Sequence, residues 1–293
     1  MKKRLMISTL IITLLLSQTI ISCKNTSSKD NSNTKIATET ITSDESLSHE
    51  TPIEDKTIKP LNKINNFDDI NVSTENVNVP ILYYHSVDES EANEVIISPQ
   101  KLKEQLQYIL EQGYTPITLT EFNNYLVNNQ PIPEKSIMIT FDDGYMDNYT
   151  NAFPILKELG IKATIFLMTV GVDEGYYLSS QQIKEMIDYG MDIQSHTVNH
   201  VHLNELSYDE QLAELKNSKE FIENITHREV IALAYPFGDY NDDSIRAAKE
   251  AGYTLCFTTN NGLASSESDY YQIERIYVSS SYSLEYFTTI LNP

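Results

Sequence analysis

The chain has 293 residues, 40% of them hydrophobic, which suffices for one full-sized domain with its own core and additional sequence, or for two small domains. Its 42 acidic residues against 21 basic ones give a formal net charge of -21. This excess of negative charge repels nucleic acid and anionic lipid surfaces, and we therefore exclude both as binding partners.

The N-terminus has the features of an export signal. Three basic residues, Lys2 to Arg4, precede an apolar stretch that ends near Ile21 and is too short and too polar to span a bilayer. The residues just before Cys23 resemble a bacterial lipobox. We predict a signal peptide over residues 1–22, a lipidated Cys23, and an extracytoplasmic protein held on the bacterial cell membrane by its lipid alone. An uncleaved anchor and an ordinary signal peptide are the alternatives.

A polar segment follows the signal. Residues 24–78 are rich in Ser, Thr, Asn, Lys, Asp and Glu, and their apolar residues show neither helical nor strand periodicity. Such a composition buries too little apolar surface to offset the entropy of ordering it. We predict a flexible stalk over residues 23–78, in which Leu61 to Ile70 could pack locally, and a catalytic domain over residues 79–293.

Short apolar strands alternate with amphipathic helices from Val79 onward. Strands are predicted at Val79–Tyr84, Ser136–Phe141, Ala163–Met168, Met191–Gln194, Val230–Tyr235, Thr254–Thr258 and Tyr277–Val278. Helices are predicted from Pro99 to Gly113 and at Asn151–Leu159, Ser180–Tyr189, Tyr208–Ile225, Asp242–Ala251 and Leu284–Ile290. This alternation implies an α/β fold with a mostly parallel sheet, open or closed into a barrel, and active residues at the carboxyl ends of its strands.

Polar clusters follow four of the predicted strands: His85, Asp142-Asp143-Gly144-Tyr145, His196-Thr197-Val198-Asn199-His200 and Tyr235-Pro236-Phe237-Gly238-Asp239. Two imidazoles and one carboxylate are a common catalytic zinc set that leaves one position open for water. His196 and His200 share a face if their segment turns helically, and His202 is the alternative second ligand. Adjacent carboxylates at a strand end point in different directions, so one can bind metal while the other takes a proton from water.

The first two motifs resemble those of the polysaccharide deacetylases, also called NodB-homology domains or carbohydrate esterase family 4. The segment Thr140 to Gly144 resembles the first family motif and Ser195 to His200 the second, in the family's order. The resemblance covers the chain from Val79 onward and implies a distorted (β/α) barrel. It implies that Asp143, His196 and His200 bind a divalent metal, usually zinc but also cobalt or nickel, and that Asp142 is the base.

The resemblance also implies a reaction and a substrate site. The reaction is hydrolysis of N-acetyl groups on the aminosugars of a polysaccharide. The segment Ala234 to Gly238 resembles the third motif, and Tyr145, Pro236 and Phe237 are assigned to substrate binding on this basis. The backbone N–H of Phe237 would then help to hold the tetrahedral oxyanion.

Two family residues are missing. Alanine stands at Ala234 in place of an arginine, and no histidine follows His227, so the C-terminal Leu-x-His that supplies the general acid is absent. The segment that ends at His85 resembles the subgroup that acts on poly-N-acetylglucosamine, and we predict His85 as the general acid. Arg275 is predicted to orient Asp142, with a surface salt bridge as the alternative.

These residues favour a monomeric N-deacetylase of a cell-surface or extracellular polysaccharide, which could be peptidoglycan, poly-N-acetylglucosamine or a chitin-like polymer. Two alternatives remain open, and the missing residues motivate the first. One is a catalytically impaired lipoprotein that only binds glycan, although such a protein has no need to keep Asp142. The other is an O-acetyl esterase of the same fold.

Overall fold

Strands and helices alternate along the part of the chain that the computed structural model describes, residues 65, 67–68, 70–75, 77–90 and 92–291. The strands are β1 (Val72–Ser73), β2 (Ile81–Tyr84), β3 (Ser86–Val87), β4 (Ile96–Ile97), β5 (Thr115–Pro116), β6 (Ile132–Pro133), β7 (Ser136–Phe141), β8 (Thr164–Leu167), β9 (Asp192–Ser195), β10 (Ala232–Ala234), β11 (Leu255–Asn261) and β12 (Ile273–Tyr277). The α-helices are α1 (Pro99–Glu111), α2 (Leu119–Asn128), α3 (Phe153–Leu159), α4 (Ser180–Tyr189), α5 (Tyr208–Thr226), α6 (Asp242–Ala251) and α7 (Leu284–Ile290).

Seven of the described strands close into a parallel barrel in the order β2, β7, β8, β9, β10, β11, β12. The last strand, β12, pairs with β2, and β2 pairs with β7, so that Leu82 lies opposite both Ile276 and Ile139. The pairing of β11 with β12 shifts register between Phe257 and Asn261. The prediction of a distorted (β/α) barrel is confirmed.

Alternate residues of each strand face opposite sides of the barrel wall, as the two-residue period of a strand requires. On β7, Ile137 and Ile139 belong to the hydrophobic cluster that packs under the surrounding helices. Met138 belongs to a second cluster that fills the barrel interior. Both faces of the wall are therefore apolar, which explains why β7 reads as a continuous run of buried residues.

The helix α2 closes one end of the barrel and is absent from the predicted elements. Its buried residues Phe122 and Tyr125 join the interior cluster, where the Phe122 ring lies 6.3 Å from that of Phe257. The sequence does carry a signal for this helix, because Thr118 and Glu121 form a capping box at its first turn.

The last strand differs from its prediction. The structure has it at Ile273–Tyr277 instead of Tyr277–Val278. The apolar pattern does not predict a strand over these residues because Glu274 and Arg275 interrupt it, and charged residues are depleted in buried strands. The Glu274 side chain is exposed, whereas Arg275 is buried inside the barrel.

Ordered structure begins before residue 79. Val72–Ser73 pairs antiparallel with β6, and Val77 is buried among the interior residues, so these positions pack against the domain and not within a stalk. The predicted signal peptide, Cys23 and stalk residues 24–64 lie outside the described residues. None of the described helices combines the length and the apolar character needed to cross a bilayer.

We expect Phe122→Ala to lower the free energy of unfolding by about 3–5 kcal/mol, because it leaves a cavity at the closed end of the barrel. Urea denaturation measures the loss. Val127→Ala is the matched control, since Val127 is 49% exposed on the same helix and its loss should stay within about 0.5 kcal/mol. Equal losses in both variants would contradict the packing described for α2.

Candidate active site

A cleft of about 390 Å³ opens at the carboxyl ends of the barrel strands. It brings together residues from all four polar clusters of the sequence: His85, Asp142, Asp143, Tyr145, His196, His200 and Phe237. Loops that follow β2, β7, β9 and β10 carry these residues, as expected for an α/β barrel. The cleft is therefore the candidate active site.

Asp143, His196 and His200 form one compact group. The Oδ1 atom of Asp143 lies 3.4 Å from Nε2 of His196 and 3.2 Å from Nε2 of His200, and the ligand atoms all lie within 4.8 Å of one another. This Oδ1 atom is buried and has no hydrogen-bond partner. A buried carboxylate oxygen that faces two imidazole nitrogens fits a divalent cation, because the cation supplies the missing partner.

A backbone carbonyl orients His196. Its Nδ1 lies 2.8 Å from the carbonyl oxygen of Ala234 and donates a hydrogen bond to it, which leaves Nε2 free to bind a cation. Burial disfavours the charged imidazole, but Asp143 and Asp142 outweigh that effect and raise the pKa of His196. For Asp143, burial raises the pKa, but the two neighbouring imidazoles more than offset this and lower it well below its usual range. The site thus attracts positive charge.

The segment from His196 to His200 is a loop, so the helical explanation of its spacing is wrong. Thr197 and His200 have φ values of 67° and 53°, in the left-handed region. Glu214 of α5 holds the loop, since its Oε2 accepts hydrogen bonds of 3.0 Å from the backbone N–H groups of Val198 and Asn199. A long-range contact, and not a helical face, brings the two imidazoles together.

His202 lies outside the ligand group. Its Nδ1 is 2.6 Å from Oδ2 of Asp239, and its ring stacks on Phe237 at a centroid distance of 4.0 Å. The alternative of His202 as second ligand is therefore not supported by the geometry.

Arg275 and Asp142 form a bidentate ion pair inside the barrel. Nη1 and Nη2 of the arginine donate to Oδ1 and Oδ2 of Asp142, both at 2.8 Å, and Nε donates to the carbonyl oxygen of Thr258. The guanidinium also lies 4.3 Å from the ring centroid of Tyr83. Burial by itself raises the pKa of Asp142, but Arg275 outweighs it, so the pKa lies below its usual value. Of the two predictions for Arg275, the surface salt bridge is wrong.

His85 lines the same cleft. Nδ2 of Asn148 donates a 2.7 Å hydrogen bond to the backbone carbonyl of His85, and Asn148 lies in the π-helical turn that precedes α3. The ring lies edge-on to Tyr83 and Tyr277, and its Nδ1 is buried without a hydrogen-bond partner. Burial lowers the pKa of His85, although Asp142 and Asp143 oppose that shift.

Two of the three residues predicted to bind substrate line the cleft, and the third does not. Tyr145 and Phe237 line the cleft, and Phe237 is 53% exposed with a φ of 59°. Pro236 is buried and does not line the cleft.

Sequence reasoning missed Glu214 and Tyr83, because a glutamate on an exposed helix and a tyrosine in a strand carry no local signal of a site.

Comparisons with known proteins agree with the fold and the motifs. The profile of the family described as polysaccharide deacetylase matches residues 129–256. YxkH of Bacillus subtilis, provisionally named a polysaccharide deacetylase, is 36% identical over 69% of this chain and 71% of its own length. A poly-β-1,6-N-acetyl-D-glucosamine N-deacetylase of Staphylococcus epidermidis is 33% identical over 62% of this chain and 68% of its own length.

A solved structure gives a further comparison. The deacetylase PplD of Streptococcus pyogenes, in complex with acetate, has 36% sequence identity and a TM-score of 0.69. The match covers 74% of this chain and 99% of that one. His85 and Arg275 both lie outside the segment that the family profile matches.

We expect His200→Ala to weaken zinc binding by more than about 100-fold, because even outer partners of metal ligands contribute about 10–100-fold. Zinc content after equilibrium dialysis measures the change. His202→Ala is the matched control, since it removes an imidazole from the same loop but outside the ligand group. Equal zinc loss in both variants would refute this ligand assignment.

We expect Arg275→Met to lower the free energy of unfolding by about 3–5 kcal/mol, because it leaves the buried Asp142 charge without a partner. Adding Asp142→Leu should restore much of that loss, since no buried charge then remains. Urea denaturation in the presence of a chelator measures Arg275→Met, Asp142→Leu and the double variant. A double variant as unstable as the sum of the two single losses would disprove the direct coupling.

Proposed function

Because the chain belongs to the polysaccharide deacetylase family, we propose that it removes N-acetyl groups from the aminosugar units of a cell-surface or extracellular polysaccharide. The observation that carries this proposal is the Asp143, His196 and His200 group beside a buried, arginine-paired Asp142 in one cleft. The relatives named as deacetylases support an enzyme over a protein that only binds glycan.

Asp143, His196 and His200 would hold a divalent cation, and zinc is the proposed ion because two imidazoles and a carboxylate suit it. When bound, the cation supplies a Lewis acid that polarises the acetyl carbonyl and lowers the pKa of water. Cobalt or nickel would suit the same donor set.

Asp142 is the proposed general base. Its lowered pKa keeps the carboxylate ionised at neutral pH, so that it is ready to take a proton from the attacking water. Arg275 engages both carboxylate oxygens, but each oxygen keeps a further lone pair for this proton. Arg275 thus acts as a positioning residue, which replaces the arginine that the family's third motif has at the position of Ala234.

His85 is the proposed general acid that protonates the leaving amine. Since burial lowers its pKa, the imidazole is neutral in the resting site and must take up a proton within the cycle before it delivers one. The Asn148 hydrogen bond holds the backbone of His85 at the cleft. The backbone N–H of Phe237 is proposed to stabilise the oxyanion, and the Tyr145 and Phe237 side chains to contact the sugar.

The proposed substrate is a polymer of N-acetylglucosamine, and the named activity of the Staphylococcus epidermidis relative supports the β-1,6-linked form. We further propose that the enzyme is a monomer exported by residues 1–22 and anchored by lipid on Cys23. In this arrangement, the polar segment after Cys23 lets the catalytic domain reach nearby polymer.

The test is acetate release from N-acetylglucosamine polymers by the full mature chain. Chelation should abolish release and zinc should restore it. Asp142→Asn and His85→Ala should each lower kcat by about 10²–10⁴-fold, the usual contribution of a general base or acid. His227→Asn is the control, because His227 is exposed at the end of α5 and asparagine tolerates its left-handed backbone.

Two outcomes would contradict the proposal. Acetate release that survives both chelation and Asp142→Asn would rule out this site. Turnover of O-acetyl esters without any release from N-acetylated polymers would identify an esterase instead. Full kcat in His85→Ala alone would remove His85 as the acid and leave the metal and base in place.

A further inference from the structure

Two exposed aromatic side chains, Phe237 and Tyr176, lie in the cleft and next to it. Among the described residues, the three most exposed large hydrophobic side chains are Tyr176 (65%), Phe237 (53%) and Val170 (52%). The backbone N–H of Val170 donates to the carbonyl oxygen of Val198, within the loop that carries His196 and His200. Phe237 already belongs to the cleft, but Tyr176 has no role in the proposed reaction. Exposed aromatic surface beside an active site often marks a binding surface.

Tyr176 belongs to a group of three tyrosines that reaches the cleft. The Tyr145 ring stacks on Tyr177 with centroids 5.3 Å apart and 17° between the planes. The Tyr176 ring stands edge-on to both of them, at 5.4 Å from Tyr145 and 5.3 Å from Tyr177. Because Tyr145 lines the cleft, aromatic surface continues from the cleft to the exposed ring of Tyr176.

Backbone hydrogen bonds hold this tyrosine group in place. The N–H of Met146 donates to the carbonyl oxygen of Tyr176 at 3.0 Å, and the N–H of Leu178 donates to that of Gly144 at 2.9 Å. An antiparallel bridge between Tyr145 and Tyr177 lies between these two bonds. The loop of Tyr176 is thereby tied to the segment that follows Asp143, so the exposed ring keeps a defined position relative to the metal ligands.

A glycine allows the tyrosines to pack in this way. Gly171 lies against the Tyr177 ring, and a Cβ at this position would lie 2.6 Å from two of the ring's carbon atoms. Only glycine therefore lets Tyr177 stack under Tyr145. The exposed ring of Tyr176 packs on the half-buried rings of Tyr145 and Tyr177, which hold it in place.

We propose that Tyr176 forms a sugar-binding subsite outside the catalytic cleft, which stacks on a neighbouring unit of the aminosugar polymer. This inference rests on the proposed function and adds that the enzyme acts on long chains in preference to short ones. The C–H face of a pyranose ring packs on an aromatic ring, and the tyrosine hydroxyl can hydrogen-bond to sugar hydroxyls. A rigid ring also binds at low entropic cost.

The surrounding charge supports a glycan over a membrane surface as the occupant. Asp173 and Glu174, which are exposed in the same loop, repel anionic lipid. They attract the ammonium groups that deacetylation creates along the polymer. A partly deacetylated aminosugar chain therefore suits both the aromatic ring and the acidic residues next to it.

The experiment compares kcat/KM for a long N-acetylglucosamine oligomer with kcat/KM for the disaccharide. Tyr176→Ala should lower the ratio of these values by roughly two- to tenfold, the magnitude of one aromatic contact. Tyr176→Trp should restore the ratio, because it returns an aromatic face. Phe221→Ala removes an exposed aromatic ring from α5, away from the cleft, and should leave the ratio at the wild-type value.

A ratio in Tyr176→Ala equal to that of the wild type would overturn the subsite while leaving the deacetylase function intact. Wild-type protein that releases no acetate from any oligomer would instead overturn the proposed function. A reduced ratio that Tyr176→Trp does not restore would point to a disturbed loop, and it would also overturn the stacking role.

Discussion

The ion pair between Arg275 and Asp142 is the interaction on which the candidate active site depends. The two residues are 133 positions apart, on the last strand of the barrel and just after β7. They meet only when β12 pairs with β2 and β2 with β7, so closure of the barrel also sets the orientation of the Asp142 carboxylate. Because an unpaired buried charge destabilises the folded state, loss of either residue would leave the other as a destabilising charge.

The barrel concentrates backbone strain at its carboxyl end. Asp143, Thr197, His200 and Phe237 all adopt positive φ, and each lies in a loop that forms the cleft. Non-glycine residues in this region cost about 1–3 kcal/mol each, and the packed wall of the barrel offsets that cost. The strained turns direct the Asp142 carboxylate towards Arg275 and the Asp143 carboxylate towards the two imidazoles.

The strong motifs were predictable because each combines several chemically unusual residues with a strand end. The sequence also predicts the first and last residues of three elements correctly, because apolar runs and terminal glycines define these elements locally. They are Ser136–Phe141, Ser180–Tyr189 and Asp242–Ala251. The helix α2 was missed despite its capping box. The helical explanation of His196 and His200 failed because Glu214, which shapes their loop, has no sequence signature.

The alternation of strands and helices, the donor types for a metal and the carboxylate beside them can all be read from the sequence. These features are local, since they depend on residue chemistry and on periodicity within one segment. The tertiary structure alone places Arg275 inside the barrel beside Asp142, separates His202 from the group of Asp143, His196 and His200, and extends the aromatic surface of the cleft to Tyr176. Those facts depend on contacts between distant segments, which no single segment of the sequence encodes.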